Sequence, residues 1–467
     1  MKAYNKIMSL LLAVVIGFSF TSCEEDETIP QRPDDFWGKE ILEFSLPLGD
    51  VEVVKRDGAN IYDIVTNMDF DLTQLKNLTP TIVISEKATI SPAINEAQDF
   101  SRLVEYKVTA EDGSVKNWVI LSQHSKKISD GIGSFKKAWF KDITALDIGA
   151  YENSIAVFGD KLILSRTGKI FDAKTGDKTG EIINMEGFFG NADDNKIPYV
   201  LTNDDAGNLI GCTLGAWSKP YFKVYKWDAL NTPPVEMLSY KADTVETNGS
   251  GGKDIGQFGR KMNVAGDIAS SAYISSYNYS TSGWGANTFH WKVSGGVVDQ
   301  TPVKTTSWYN SGNIYQIACP TDPTNLANYY FSDMGTPSDS IPTTLKIRST
   351  LNKETTLIGT TDGAAGWGAF IIDIKLFRFN THNYLAVLHR SNTHYYISIL
   401  DVQPEPVPGV ADTESRVVYQ ASQENVNNNV NGTAGLAISK EENGKMSVYG
   451  LFSNNGIMCC DISDELE

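Results

Sequence analysis

From about Gly131 onward, the sequence repeats a pattern of short alternating strands with a period of roughly 45–55 residues. Each repeat contains a strand that ends near a Gly-Asp or Asp-Gly turn, followed by a strand tipped with aromatic residues. Sustained helical periodicity is almost absent, and the strongest helical signal, "DLTQLKNL", is short. The sequence therefore predicts an all-β fold that repeats one sheet along the chain.

Six repeats can be counted, and five to seven lie within the boundary error of single-sequence interpretation. They contain "SIAVFGDKLILSR", "IPYVLTNDDAGNLIGC", "KMNVAGDIASSAYISS", "NIYQIACPTDPTNLANYYFSD", "WGAFIIDIKLFRF" and "GLAISKEENGKMSVYG". The second and third repeats are alike in detail, because "FKVYKWDAL" and "NTFHWKVSGG" place Trp227 and Trp291 near the end of an outer strand.

A β-propeller over residues 131–467 fits this pattern, because four-stranded sheets arranged in a ring leave only short, protected sheet edges. The strand Phe135–Ile143 is expected to complete the last blade and close the ring. The segment "GKIFDAKTGDKTGEI" also resembles propeller repeats in which an Asp-x-x-(Ser/Thr)-Gly turn follows a strand. The alternatives are a pair of β-sandwiches, which rarely hold so many residues without a linker, and a β-solenoid, whose repeats are shorter and more regular.

Residues 37–124 have a separate pattern of short strands. "ILEFSLP", "ANIYDIVTN" and "PTIVISEKATISPA" each predict a strand. In "LVEYKVTAEDGSVKNWVILSQ", apolar residues alternate before and after Asp112-Gly113, which predicts a hairpin, because both central residues can adopt positive φ. This segment is therefore expected to form a small β domain.

Two stretches of this first domain, "DLTQLKNLTPTIVISEKATISP" and "DFSRLVEYKVTAEDGSVKNWVI", carry a resemblance to a known family. They resemble the immunoglobulin-like module at the N-terminus of many uncharacterised Bacteroidetes surface lipoproteins. The resemblance covers most of residues 40–123. It implies an Ig-like β-sandwich over residues 37–124 that lifts the next domain off the membrane, and it implies no chemistry.

The N-terminus has the order of a secretion signal. Two lysines precede the apolar run Ile7–Phe20, and the small residues Thr21 and Ser22 stand before Cys23. The run is too short to cross a bilayer comfortably as a resident helix. This order resembles a bacterial lipoprotein signal, which implies that residues 1–22 are removed and that Cys23 is lipidated. The alternative is an ordinary signal peptide cut nearby, but the A-x-A-like site of such signals is missing.

Four acids, "EEDE", follow Cys23 directly. An acidic patch in this place resembles the surface-export signal of Bacteroidetes lipoproteins, and it also suits a solvated tether. The proline-containing and charged sequence that continues to residue 36 predicts a flexible stalk over residues 23–36. The expected location is the outer membrane, with a lipid anchor and the protein facing the cell exterior.

The chain is acidic, and this limits its partners. Its net charge of −17 becomes −19 once residues 1–22, with their two lysines, are removed. Nucleic acids require a basic face, so they are excluded as partners, and membrane contact is expected through the lipid anchor only. Neutral or cationic ligands are favoured.

No catalytic motif stands out. The nucleophile elbow G-x-S-x-G, the phosphate loop G-x-x-x-x-G-K and the zinc motif H-E-x-x-H are all missing from the sequence. We therefore predict no catalytic residue and no cofactor. A pair of glycosidase carboxylates cannot be chosen among 57 acids, because their separation in space decides the chemistry.

Two groups of residues faintly resemble metal sites. His382, His389 and His394 lie within "THNYLAVLHRSNTH", where zinc binding would require convergence across a hairpin, and strand or turn histidines are the simpler interpretation. The oxygen-rich stretches 193–195 and 203–208 resemble calcium loops but are better explained as Asx-rich turns. No metal site is predicted.

Four cysteines remain besides Cys23: Cys212, Cys319, Cys459 and Cys460. They follow no metal spacing, and the adjacent pair in "GIMCCDI" points to opposite faces of a strand. Buried free thiols are expected for most of them, and a disulfide between distant cysteines is the alternative.

Several aromatic residues lie in Gly-, Ser- or Asn-rich segments that are typical of loops. They are Trp217, Trp284, Trp308, Tyr309 and Trp367. A sugar ring stacks its apolar face on an aromatic plane, so exposed loop aromatics are what a glycan-binding surface needs. Packing between blades is the alternative for each of them. Trp284, Trp308, Tyr309 and Trp367 are the predicted ligand-binding residues.

Three functions follow from these patterns. The first is a surface-anchored binding protein whose propeller face binds a carbohydrate or glycoconjugate. The second is a propeller glycoside hydrolase or lyase that uses carboxylates in the central funnel. The third is a structural or protein-binding surface component. Fold alone does not decide among them.

Overall fold

A computed structural model of the chain describes residues 38–149, 152–188, 198–215, 221–241, 257–279, 286–307, 317–333, 344–359, 370–391, 393–413, 415–425, 434–452 and 454–467. The chain divides into two compact units. Unit 1 comprises Met1–Val65 and Leu72–Gln123, and unit 2 comprises Thr66–Asp71 and His124–Glu467.

Unit 1 contains two sheets of antiparallel strands. One pairs β1 (Ile41–Ser45) with β4 (Thr81–Ile84). The other has the order β2-β3-β7-β6-β5, with β2 (Val51–Lys55), β3 (Ile61–Thr66), β5 (Thr89–Ser91), β6 (Val104–Thr109) and β7 (Val115–His124). The helical signal "DLTQLKNL" forms a single 3-10 turn at Leu72–Leu75.

The core of unit 1 is aromatic and joins the two sheets. Phe44 on β1 lies with its ring centroid 5.5 Å from that of Tyr62 on β3 and 6.4 Å from that of Tyr106 on β6. Trp118 on β7 is fully buried and packs on Tyr62. Because side chains alternate along each strand, these rings lie on the inner face of each sheet and pack between the two sheets. The predicted Ig-like sandwich is confirmed.

The predicted β6–β7 hairpin forms around Asp112-Gly113. The turn spans residues 110–114, and within it only Gly113 has a positive φ, of +83°. The Asp112 carboxylate accepts a hydrogen bond from the Ser114 N–H at 2.8 Å. This longer turn needs only one left-handed residue, and glycine supplies it at least steric cost.

Unit 2 is built from six successive antiparallel sheets along the part of the chain that is described. Blade 1 contains β9 (Ile155–Phe158), β10 (Lys161–Leu164), β11 (Lys169–Asp172) and β12 (Lys178–Ile182). Blade 2 contains β13 (Val200–Asn203), β14 (Leu209–Cys212), β15 (Tyr221–Trp227) and β16 (Val235–Lys241). Blade 3 contains β17 (Gln257–Asp267), β18 (Ser271–Tyr279), β19 (Ala286–Ser294), β20 (Val297–Val298) and β21 (Val303–Ser307).

The second half of the ring has the same order. Blade 4 contains β22 (Ala318–Pro320), β23 (Asn328–Asp333), β24 (Thr344–Ser349) and β25 (Glu354–Gly359). Blade 5 contains β26 (Phe370–Phe379), β27 (His382–Arg390), β28 (His394–Asp401) and β29 (Val417–Glu424). Blade 6 contains β30 (Ala434–Ile438), β31 (Lys445–Phe452), β32 (Gly456–Ser463) and β8 (Ser134–Asp142), which the short helix α1 (Ile143–Leu146) follows.

The first strand of each blade lies nearest the axis, and we call these six the inner strands. The inner strands of neighbouring blades contact one another around the ring. β9 of blade 1 contacts β13 of blade 2 and β30 of blade 6, and β13 contacts β17 of blade 3. β26 of blade 5 contacts β22 of blade 4, β30 of blade 6 and also β17. The ring closes because β8, which comes first in the chain, pairs with β32 as the outer strand of blade 6. The predicted six-bladed propeller and its closing strand are confirmed.

The two tryptophans that revealed the repeat occupy equivalent places. Trp227 on β15 and Trp291 on β19 lie on the third strands of their blades, and both are fully buried. The Asp172 turn of blade 1 also forms as the repeat pattern indicates, since its carboxylate accepts the N–H groups of Lys174 and Thr175.

The ring has two faces, which we name by the direction of the inner strands. The start face is where the inner strands begin, and the end face is where they finish. In an antiparallel blade, the connections from second to third strand and from fourth strand to the next blade lie at the start face. The remaining connections lie at the end face.

The chain enters the propeller at the end face. The Ile128 N–H donates to the Asp464 carbonyl at 2.9 Å, and the Gly131 N–H donates to the Asn380 carbonyl at 2.9 Å. Asp464 follows β32 and Asn380 follows β26, so both acceptors lie where strands reach the end face. Along the described part of the chain, no helix combines the length and apolar character needed to span a membrane.

Candidate functional site

Polar side chains of the inner strands fill the axis of the propeller. Lys375 on β26 of blade 5 reaches across to blade 2, where its ammonium group donates to the Thr202 hydroxyl at 3.0 Å and to the Asn203 carbonyl. Lys375 is 4% exposed and Thr202 is 5% exposed, so the contact is shielded from solvent. Blades 2 and 5 are opposite in a ring of six, and this lysine therefore connects the two sides of the ring.

A second lysine connects another opposite pair of blades, 3 and 6. Lys261 on β17 of blade 3 is 6% exposed and donates from its ammonium group to the Ala434 carbonyl at the beginning of blade 6. Asn263, two residues further along β17, donates to the Ile374 carbonyl of blade 5 at 2.8 Å. These residues, together with Asn203 and Lys375, form what we call the axial plug.

The ammonium groups of the axial plug interact electrostatically with buried carboxylates, Asp373 in the case of Lys261 and Asp205 and Asp373 in the case of Lys375. The carboxylate of Asp373 on β26 accepts the N–H of Leu436 at 2.8 Å and the N–H of Ile374 at 2.9 Å. Burial lowers the pKa values of Lys261 and Lys375, and the charge of Asp373 acts to raise both. Burial in turn raises the pKa of Asp373. The carboxylate and the ammonium groups compensate one another in a region that water does not reach.

At the end face, the axis is bordered by the turn that follows β13. The Asp204 carboxylate accepts hydrogen bonds from the N–H of Ala206 at 3.0 Å, of Asn208 at 2.7 Å and of Ile268 at 2.9 Å. These donors occupy the oxygens that a calcium ion would need, and the stretch 203–208 forms an Asx turn that joins blades 2 and 3. The similar stretch 193–195 lies outside the described residues.

At the start face, the axis ends in an open group of charged and aromatic side chains. The buried carboxylate of Glu152 accepts the N–H groups of Arg166 at 2.9 Å and Thr167 at 3.1 Å, and burial raises its pKa. Burial also raises the pKa of Tyr199, against the opposing charges of Arg260 and Arg166. Tyr199 and Arg260 are half-buried and Arg166 is exposed, so a ligand at this end could reach a phenol and two guanidinium groups. We call Glu152, Arg166, Tyr199 and Arg260 the start-face cluster.

Blade 5 adds aromatic rings at the same face. The rings of His389 and Tyr396 stack with centroids 4.9 Å apart, and the His394 ring lies 6.0 Å from that of Tyr396. His389 Nε2 lies 2.8 Å from the Ser398 hydroxyl. His382 is at the opposite end of β27, between the carboxylates of Asp130 and Asp401. The three histidines of "THNYLAVLHRSNTH" therefore do not converge on one point.

The predicted ligand-binding residues Trp284, Trp308, Tyr309 and Trp367 all lie outside the described residues, as do Cys23 and Trp217. The strands that flank these residues are described, and they show at which face of the ring each connection begins and ends. Trp284 falls between β18 and β19, residues 308 and 309 between β21 and β22, and Trp367 between β25 and β26. In each case the flanking strand ends lie at the start face.

The described carboxylates near the axis are all engaged by the backbone. Asp373, Asp204 and Glu152 each accept at least two N–H groups, and Asp205 accepts the Gly266 N–H at 2.8 Å. Some of these bonds join different blades, as between Asp373 and Leu436 or between Asp205 and Gly266, and the bonds of Glu152 stay within blade 1. Among described residues, no group of three or more His, Cys, Asp or Glu side chains is arranged to hold a metal ion.

The residues of the axial plug and of the start-face cluster were not predicted from the sequence. The signal that could have found the plug is a charged or amide residue inside an otherwise apolar inner strand. Lys375 in "FIIDIKLFRF" and Asn263 in "KMNVAG" are such residues. An isolated polar residue in one strand does not reveal its partner, which lies on another blade.

Two family descriptions match the chain. One, a domain of unknown function (DUF8500), matches residues 137–451. The other, "SGBP, N-terminal", matches residues 41–121. A comparison with curated proteins gives no match.

Among solved structures, a DUF4623 family protein from Bacteroides eggerthii DSM 20697 is similar over 91% of this chain and 98% of its own, with a TM-score of 0.51 and 14% identity. An alpha-L-arabinanase from Penicillium chrysogenum, complexed with arabinobiose, is matched over 67% of this chain and 93% of its own, with a TM-score of 0.39 and 9% identity. At this level of identity the first similarity shows a shared fold and nothing of the chemistry, and the second is too distant to support any conclusion.

Proposed function

This chain belongs to the family described as domain of unknown function DUF8500, and we propose that it is a cell-surface protein that binds a carbohydrate or glycoconjugate at the start face of its propeller. The observation that carries the proposal is the start-face cluster. It places the exposed Arg166 and the half-buried Tyr199 and Arg260 at the end of an axis that the plug closes below them. A closed axis with polar groups at its mouth provides a shallow binding surface, and sugars offer hydroxyl groups to such donors.

The first unit supports the same function. It carries the match to "SGBP, N-terminal", a name we interpret as a surface glycan-binding protein. We propose that unit 1 is the spacer of such a protein and that lipidation at Cys23 anchors it to the outer membrane, facing the cell exterior. The stalk of residues 23–36 would separate the anchor from the spacer.

We further propose that Trp284, Trp308, Tyr309 and Trp367 contact the ligand. All four belong to connections between strand ends at the start face, on blades 3 to 5. Blade 5 contributes the stacked rings of His389 and Tyr396 at the same face. Aromatic planes from neighbouring blades could then stack on successive sugar rings.

A glycan array, followed by affinity electrophoresis with the best glycan, tests the proposal with the full chain. We expect Trp284→Ala, Trp308→Ala and Trp367→Ala to weaken binding, and Arg260→Ala to do so by removing hydroxyl or carboxylate contacts. Leu351→Ala is the matched control, since Leu351 is 81% exposed on an end-face turn. Absence of binding to any glycan would reject the function. Unchanged binding in all three tryptophan variants would reject the aromatic surface.

A further inference from the structure

The segment that leads the chain into the propeller is bound to the turn between β26 and β27. We call this segment, residues 126–132, the entry strap. The side-chain amide of Asn380, in the turn, donates to the carbonyl groups of Ile128 and Gly131, both at 3.1 Å. The Asn380 carbonyl accepts the Gly131 N–H at 2.9 Å. One residue of the turn therefore fixes the strap at the end face of blade 5.

The turn itself has an unusual backbone conformation. Asn380 and Thr381 both have positive φ values, of +41° and +69°. Asparagine tolerates this region, but a β-branched threonine rarely adopts it, and glycine is the residue that such two-residue hairpin turns prefer. The Thr381 hydroxyl, which glycine would lack, donates to the carboxylate of Asp130 on the strap. The sequence of the turn therefore favours contact with the strap over an unstrained backbone.

His382 follows this turn and lies between two carboxylates. Its Nδ1 is 3.1 Å from Oδ2 of Asp130, and its Nε2 is 2.9 Å from Oδ1 of Asp401. An ionised carboxylate can only accept a hydrogen bond, and a neutral imidazole carries only one N–H group. Both bonds can therefore form together only when the ring is protonated. Loss of the proton leaves one ring nitrogen with a lone pair directed at a carboxylate.

The groups that pack around His382 favour the protonated ring. Burial acts to lower its pKa, but the hydrogen bonds to Asp401 and Asp130 act to raise it, and the pKa lies above its usual value. The pKa of Asp130 is held below its usual range, chiefly by the hydrogen bond from Thr381, so this carboxylate stays ionised. The Tyr384 ring lies 5.0 Å from the His382 ring, and burial raises the Tyr384 pKa to about 12, so the phenol stays neutral. Further titratable groups near the strap or the turn are Asp69, Lys127, Tyr419, Glu441 and Asp464.

We propose that the entry strap is a pH-sensitive latch, which is closed while His382 is protonated and opens at Asp130 when the ring loses its proton. Asp401 is the carboxylate that retains the neutral ring, because it lies in the same sheet, on β28, and itself accepts the Gln403 N–H at 2.8 Å. Asp130 lies on the strap with its side chain half exposed, so it is the partner that can move away.

The direction of the switch follows from the raised pKa of His382. The latch is fully closed below the unfolded pKa of about 6.5, and it opens as pH rises through the higher folded value. The strap begins shortly after Gln123, the last residue of unit 1 in the chain. Opening therefore adds loosely held residues to the chain segment that joins the two units, whatever ligand the start face binds.

Hydrogen exchange of the full chain, measured by peptide mass spectrometry between pH 6 and pH 9, tests the latch. Each exchange rate is divided by the intrinsic rate at that pH, so that only protection by the structure is compared. We expect the protection of peptides that contain Ile128, Gly131 and Ile132 to fall about tenfold over this range, the effect of losing one charge-assisted hydrogen bond. Peptides from β14 (Leu209–Cys212) should show no such fall, which separates opening of the latch from unfolding of the ring.

His382→Gln should remove this pH dependence and leave the strap weakly protected at every pH. Asp130→Asn, which changes an exposed side chain, should also remove it, because the charged ring then meets no carboxylate on the strap. His394→Gln, at the other end of blade 5, is the matched control, and its strap should behave as in the wild type. Constant protection of the wild-type strap from pH 6 to pH 9 would overturn the proposal. A pH dependence that persists unchanged in His382→Gln or in Asp130→Asn would overturn it as well.

Discussion

The ammonium group of Lys375 donates a hydrogen bond to the hydroxyl of Thr202 at 3.0 Å, across the axis of the propeller. The two residues are far apart in sequence, on opposite blades, and both are buried. Together with Lys261 and its bond to the Ala434 carbonyl, this contact makes the axis a polar cross-connection between opposite sides of the ring.

Lys375→Met should destabilise unit 2 by about 3–5 kcal/mol, because it leaves the buried oxygens of Thr202 and Asn203 without their donor and removes the cation that compensates chiefly Asp205 and then Asp373. Urea denaturation followed by circular dichroism measures the free energy of unfolding. Lys292→Met, at an exposed position of β19, is the control and should change it by less than about 0.5 kcal/mol. A loss no larger than that of the control would show that the lysine does not support the ring.

Gly456→Ala should weaken ring closure. Gly456 begins β32 with φ +145°, and a Cβ there would collide with the Lys141 carbonyl of β8. Gly207→Ala is the matched control, since Gly207 also has a positive φ, +86°, but open space around the added methyl. The control should cost about 1 kcal/mol from backbone strain alone. We expect a clearly larger loss for Gly456→Ala by thermal denaturation, and equal losses would contradict the collision.

His382 should make stability depend on pH. Burial acts to lower its pKa, but hydrogen bonds to Asp401 and Asp130 outweigh burial, and the pKa stands above the usual value. The folded state therefore favours the protonated ring. This contribution is fully present below the unfolded pKa of about 6.5 and is lost as pH rises through the higher folded value.

The measurement is the free energy of unfolding of the wild type and of His382→Gln at several pH values from 6 to 9. The difference between the two proteins should shrink as pH rises. His394→Gln, at the other end of blade 5, is the control for replacing a histidine of this blade by glutamine. A difference that stays constant with pH would mean that the ring acts only as a neutral hydrogen-bonding group.

The four described cysteines should resist alkylation in the folded protein. Cys212, Cys319, Cys459 and Cys460 are free and at most 1% exposed, in agreement with the expectation of buried thiols. Burial raises the pKa of Cys319 and of Cys460 to about 12, so the reactive thiolate is scarce at pH 8. Iodoacetamide followed by peptide mass spectrometry should label none of them before urea is added and all of them after. Labelling in the folded state would contradict the burial.

The repeat of the sheet could be predicted because it rests on local patterns. In "SIAVFGDKLILSR" and "KMNVAGDIASSAYISS", short apolar segments lie on either side of a Gly-Asp turn that connects two strands. In unit 1, by contrast, β2 (Val51–Lys55) was not predicted, since its half-exposed residues carry little alternation. The turn at Asp112-Gly113 was located correctly, but which of its residues has a positive φ depends on the turn length, which the strand register decides.

The sequence by itself determined the β architecture, indicated about six blades and located the strand that closes the ring, because apolar segments and turn residues act between neighbours in the chain. Only the tertiary structure decided which polar residues meet on the axis and at each face. Lys375 meets Thr202, and Arg166 and Arg260 both act on Tyr199, because the ring brings different blades to a common centre. Such contacts depend on closure of the whole ring, and no local pattern encodes them.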